Sequence, residues 1–232
     1  MKNLLNTFRP LCHRPFGKEA IRNFGLKPFV DGSIRREPDF ESPFPSITAI
    51  CRGARCAPRL NERDRIVYMT TKVIYPPLEN DANRVVAFLE VVKRCESHEA
   101  AAAWYRNEGF PLPSNCLVEG NPPLPLERSA GFEPAVFKRI GKAKPERRQI
   151  LTDHTYQEWD QEYLEKVRNW PVFIITKPLF LELKNPPPVY EKELKQIFGR
   201  VPGTRTPPWI ADEEFDALLD LCKKKQLTAA GV

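Results

Sequence analysis

The chain reads as an α+β protein built on a small mixed β-barrel with peripheral helices. Three observations carry that reading. Short β-branched and aromatic runs fill Ser46 to Val92, and a second apolar run covers Trp170 to Leu183. The 232 residues also include 24 prolines, about twice the usual share. Proline lacks an amide donor and is pushed to edges and turns, so it favours many short elements joined by ordered loops. A late strand that closes on an early strand block makes a barrel with its polar groups on the connections.

Residues 1–27 show no clear period and are expected to form a variable, loosely ordered extension, leaving 28–232 as the folded domain. Asp31-Gly32 is a turn signal, and Arg35-Arg36-Glu37-Pro38-Asp39 follows as an extended loop. Ser46 to Cys51 reads as a strand, with Ile47, Ala49 and Cys51 on one face. Arg65 to Val73, rich in Val, Ile, Tyr and Thr, is the next. Arg84 to Val92 is almost continuously apolar, which predicts a central strand buried on both sides. Pro76-Pro77 makes the connection between them a loop.

An insertion is expected at about 97–168. Ser97 caps a helix over Glu99 to Asn107, and Gly109 stops it. Pro111 to Leu126 holds five prolines and is read as a loop. Lys138 to Arg148 is read as a basic, solvated connector. Thr155 and Glu158 form a capping box, opening a helix with Tyr156, Trp159, Tyr163 and Val167 on one face. Pro171 to Leu183 is the closing strand. Two helices end the chain: Val189 to Phe198, stopped by Gly199, and Glu213 to Lys224, capped by Asp212.

The net charge of +6 is unevenly placed: residues 1–65 carry 13 Lys/Arg against 7 Asp/Glu, and residues 66–232 carry 23 of each. A basic first third suits an anionic partner, nucleic acid above all, and also suits plain solubilisation. The six cysteines have no paired spacing. No stretch approaches the roughly 18 apolar residues of a membrane helix, and Arg9, His13 and Arg14 interrupt any signal-like run. A soluble cytoplasmic chain with free thiols follows as the expectation.

The motifs for chemistry are sparse. Cys51-x4-Cys56 with Cys95-x2-His98 approaches zinc spacing, but thiols on strand faces usually act as small hydrophobes, so no metal is expected. Cys116 and His98 flank one insertion and form a weak nucleophile–base candidate, with Asp31 as a third participant. Gly199-x3-Gly203 lacks the Lys-Ser/Thr of a phosphate loop, and no cofactor is called for. What remains is a base- or phosphate-binding set. Tyr68, Trp104 and Trp170 would stack, Ser114 and Asn115 would read polar edges, and Arg35, Arg36, Arg52 and Lys72 would meet phosphates. Asn115 is equally explained by an Asx-turn.

Asp64-Arg-Ile-Val-Tyr-Met followed by Val85-Val-Ala-Phe-Leu-Glu-Val-Val resembles the paired strands of PUA-like domains, nearest to their EVE and YTH branches. Pro171-Val-Phe-Ile-Ile, Pro188-Val and Ile210-Ala-Asp-Glu-Glu-Phe resemble the EVE ending. The likeness spans roughly residues 44–222 and extends to PUA-like proteins grouped as nucleotide-modification-associated domains. Arg63 and Ala87 stand where that pattern has glycine. The resemblance implies a module that takes a modified or flipped base into an aromatic-lined pocket, linked to DNA modification or defence. By position it carries over to Cys51, Arg52, Tyr68, Thr70 and Trp170.

Three functions follow as expectations. The first is a non-enzymatic binder of modified DNA or RNA. The second is an enzyme acting on a nucleotide or base. The third is a partner-binding protein of a phage or defence operon, docking through its C-terminal helices.

Overall fold

The computed structural model describes residues 1–230 except 76, 77, 79, 204 and 205, and the side chains of 229 and 230 are likewise outside the description. The predicted Pro76-Pro77 loop falls on those residues. Strands β1 (Asn3–Phe8), β2 (Ser46–Thr48), β3 (Arg65–Thr70), β4 (Asn83–Cys95), β5 (Phe173–Leu181), β6 (Pro188–Val189) and β7 (Trp209–Ile210) form one sheet. The order is β2-β5-β4-β3-β1-β7, and β6 pairs with the start of β4. The helices are α1 (Pro15–Phe24), α2 (His98–Asn107), α3 (Pro134–Gly141), α4 (Pro145–Asn169), α5 (Glu191–Phe198) and α6 (Asp212–Ala230). The α+β class holds. The sheet itself is open: β2 and β7 lie at opposite ends and do not pair with each other among the described residues, where a barrel would join them.

The expected N-terminal extension is instead part of the sheet. Residues 3–8 pair in parallel with β3, Asn3 opposite Arg65 through Phe8 opposite Thr70. The physical reason is alternation: Leu4 and Phe8 face one core, and Leu5 faces the other. Six residues are too short to display a period against the polar Asn3, Asn6 and Thr7, yet all six are buried. Pro15 then opens α1 at a position that needs no amide, and Gly25, with φ +63°, ends it.

β4 is buried on both sides, as its apolar run predicts. Val86, Leu89 and Val91 join the core that includes α1 Ala20, and Val85 and Phe88 join the core under α5 and α6. Two further corrections concern length. The strand at 46 stops at Thr48, after which the chain turns. The basic connector is helical, with α4 starting at Pro145 and running 25 residues, so Thr155 lies in mid-helix. Tyr156, Trp159, Tyr163 and Val167 do share a face, packed on Ile34, Ile50 and Leu117.

Leu5→Ala is expected to cost about 2–5 kcal/mol, as for other buried leucines. The check is a fall in the urea midpoint at unchanged m-value, an effect a dispensable extension would not produce.

Candidate functional site

The second half of β1 and the segment from Asp31 to Glu37 come together in the basic first third of the chain. Pro10 bridges Asp31, the Leu11 amide donates to the Val30 carbonyl at 2.8 Å, and the Ala130 amide donates to the Gly32 carbonyl at 2.7 Å. A Cβ on Gly32 would stand 2.9 Å from that of Ala130, so the close approach requires glycine here. Asp31 closes an Asx turn: its Oδ1 accepts from the Ser33 amide and hydroxyl, at 2.9 and 2.5 Å.

Two adjoining cavities open against this junction. The larger, about 520 Å³, is lined by Asn6, Thr7, Phe8, Arg9, Asp31, Glu37, Cys51, Arg52, Tyr68, Thr71 and Glu133. The smaller, about 230 Å³, shares Arg9, Asp31, Cys51 and Glu133 and adds His13, Arg14 and Trp159. Together they are of the size of small-ligand sites. Phe8 and Tyr68 pack edge to face, with ring centroids 6.1 Å apart, and give the cavity an apolar wall. Asn6 Nδ2 reaches Cys56 Sγ at 3.4 Å, and Tyr68 Oη lies 3.8 Å from the same sulfur.

The carboxyls are the chemically unusual groups. Glu37 is 6% exposed. Its oxygens accept from the Thr48 amide and hydroxyl and from Asn115 Nδ2 at 3.1 Å. Burial outweighs those donors and pushes Glu37 up to about 8, with the charge of Asp31 adding to the rise. Burial raises Asp31 as well, against the bonds from Ser33. Perturbed acids in a cavity are the usual mark of a functional site. Cys51 is reached by solvent through the cavity yet enclosed by protein on a wider scale. That enclosure, followed by Asp31 and Glu37, lifts its thiol well above the ordinary range, so it is not a ready nucleophile.

The structure therefore gathers Asp31, Cys51, Arg52 and Tyr68 from the sequence-derived candidates. Arg52 donates to the carbonyl of Thr7. The other candidates lie elsewhere. Arg35 is buried, holds Asp160 through two bonds of 2.8 and 3.0 Å, and donates to the Ser114 and Asn121 carbonyls. Arg36 is 1% exposed and is spent on Glu41, at 3.3 Å, and on the carbonyls of Asp31, Ser33 and Arg128. Neither meets a phosphate. Thr70 is buried, its hydroxyl accepting from the Arg84 amide, and Lys72 pairs at the surface with Asp81 and Glu191. Trp104 packs on Phe44 and Tyr105, outside the site. Trp170 lies against Gly53, where a Cβ would meet its ring at 3.2 Å. The three stacking aromatics do not converge.

Within the loop from Pro111, Ser114 donates its amide and hydroxyl to Asp39. Asn115 supports the cavity from behind through Glu37. It also accepts from the Ser46 hydroxyl at 2.7 Å, so its side chain is taken up by a buried network with Glu37 and Ser46, neither reading a polar edge nor closing an Asx-turn.

The Cys116–His98 pairing is overturned. Cys116 Sγ meets the His98 carbonyl, not its ring, at 3.5 Å, and His98 Nδ1 accepts from the Leu117 amide. Burial drives the thiol up to about 12 and the imidazole down to about 4. Of the metal-like cysteines, Cys56 faces Asn6 and Tyr68, while Cys95 sits in an apolar cluster with Phe173. Among the described residues no group of three or more His, Cys, Asp or Glu is placed to hold a metal ion, and no helix is long and apolar enough to cross a membrane.

Asn6, Thr7, Phe8, Arg9 and Glu37 are the site residues the sequence reading missed. The density of charge in Arg35-Arg36-Glu37-Pro38-Asp39, next to a turn, was the available signal. In comparisons with known proteins, no family model, no curated protein and no solved structure matches the chain.

The pH behaviour follows from Glu37. Its carboxyl titrates near 4.5 when unperturbed and near 8 in the fold, so its contribution to stability is full below about pH 4.5 and is lost as pH rises through about 8. His98 works oppositely, between about 6.5 and 4. From pH 6.5 to 8 the His98 contribution is constant. Over that interval the Tm of the Glu37→Gln variant is expected to fall less steeply than that of the parent, as read by calorimetry.

Proposed function

We propose that the cavity between β1 and the Asp31–Glu37 segment receives a nucleobase, modified or flipped out of a nucleic-acid strand, and that the open sheet is a PUA-like scaffold for it. The observation that carries this reading is the polarity of the cavity. Exposed Arg9 and half-buried Arg52 line it together with the buried carboxyls of Asp31 and Glu37, beside an apolar wall of Phe8 and Tyr68. Arginines suit phosphate, an aromatic wall suits a base face, and buried polar groups suit a base edge. The base lies against one aromatic wall and is read by hydrogen bonds, with no cage of three rings. DNA or RNA is the partner, and the basic first third steers it to the site.

Acid–base chemistry on the bound base is the second reading, favoured by the two raised carboxyls in one cavity. Mass spectrometry of the recovered nucleoside separates the two: unchanged nucleoside marks a binder, and a mass change marks an enzyme.

Salt-dependent binding to oligonucleotides, read by fluorescence anisotropy, is the direct check. Arg9→Ala is expected to lower the slope of log K against log salt by about one. Absence of binding at low salt to every modified and unmodified strand would end the reading.

A further inference from the structure

The two carboxyls of the cavity sit among hydrogen-bond donors, and neither forms a salt bridge among the described residues. The Glu37 side chain accepts every hydrogen bond shown for it: Oε2 takes the Thr48 hydroxyl, the Thr48 amide and Asn115 Nδ2, and Oε1 has only a share of the Thr48 amide, at 3.0 Å. Asp31 is held the same way, with the Ser33 amide and hydroxyl both on Oδ1 and the Glu37 amide and the Arg36 charge also acting on the carboxyl, while no side-chain donor among the described residues reaches Oδ2. These donors favour the charged form of each carboxyl, and burial without a paired counter-charge outweighs them. Among the described residues neither acid forms a salt bridge, because Arg36 pairs with Glu41 and donates to backbone carbonyls, and Arg14 is held by Glu133 at 2.7 Å.

A third group points to a missing ligand. The Thr71 hydroxyl lines the same cavity, is itself buried, and has no hydrogen-bond partner among the described residues. Buried polar atoms without partners are rare, because each carries its full desolvation cost.

We infer that the group inserted into this cavity carries a positive charge with clustered N–H donors, an ammonium or amidinium substituent on the base, bound between Oδ2 of Asp31 and Oε1 of Glu37. The inference rests on the base-binding reading above and names the class of modification it selects. Charge-assisted bonds to two buried carboxylates are the strong kind, and an isosteric neutral group cannot make them. Arg9 is exposed, lines the same cavity and suits the phosphate, so the ligand runs from phosphate to cation. Because Glu37 holds a proton near neutral pH without ligand, insertion of a cation displaces that proton to solvent.

The test uses the full chain and two oligonucleotides of one sequence, one bearing 5-aminomethyl-2′-deoxyuridine and the other 5-hydroxymethyl-2′-deoxyuridine. These substituents match in size and differ in charge. The aminomethyl strand is expected to bind at least about ten-fold tighter, the worth of one charge-assisted hydrogen bond. Calorimetry in two buffers of different ionisation enthalpy is expected to show proton release at pH 7. Glu37→Gln and Asp31→Asn should each shrink the preference, and the parent comparison stands even where a variant folds poorly. Equal binding of both strands would overturn the inference and leave the base-binding reading intact. Failure of both, together with unmodified strands, would overturn both.

Discussion

Three consecutive ionisable side chains, Arg35, Arg36 and Glu37, are buried, and the loops of this protein are arranged around the need to satisfy them. An unmet guanidinium or carboxyl in the interior costs several kcal/mol, so each must find partners, and the partners come from distant segments. Arg35 ties the segment to Asp160 of α4 and to the loop at Ser114 and Asn121. Arg36 ties it to Arg128, and Glu37 ties it to Thr48 and Asn115. The insertion between β4 and β5 is thereby fastened to the first third of the chain by hydrogen bonds as much as by apolar contact. The cavity stands where this network meets the sheet.

The sheet contributes by placing β1 beside β3 in parallel, which requires the long connection from Arg9 to Asp64 to pass over one face. That connection holds both carboxyls, Cys51 and Arg52. β3 supplies Tyr68, and β1 supplies Asn6, Thr7 and Phe8. The site is a property of the crossover more than of any single motif.

The legible parts of the sequence were those where one physical demand dominates over a long enough stretch. β4 is thirteen residues of mostly apolar side chains, and a strand buried on both sides was readable from it. α2, with Ser97 accepting from the Ala100 amide, was readable from its cap. β1 was not, because Leu4, Leu5 and Phe8 among Asn3, Asn6 and Thr7 show neither period. Its burial is decided by β3, 62 residues away. The arginines were misplaced for a related reason: charge reads as surface unless the buried carbonyls that receive it are known. Only tertiary structure supplies those carbonyls. Asp31, Cys51, Arg52 and Tyr68 were found, but Glu37 is revealed as a site residue only by what surrounds it.

The open sheet has a bearing on association. Its two ends are β2, three residues, and β7, two residues. A free strand that short offers almost no ladder for another chain to extend, and side chains crowd what there is. At the β7 end, Lys2 and Arg59 both lie over the ring of Trp209, at 5.6 and 4.7 Å. Charge set beside a brief edge is how natural sheets discourage edge-to-edge stacking and fibril growth. An unclosed sheet can in this way remain resistant to templated aggregation, and its protection lies in brevity where a barrel would rely on closure.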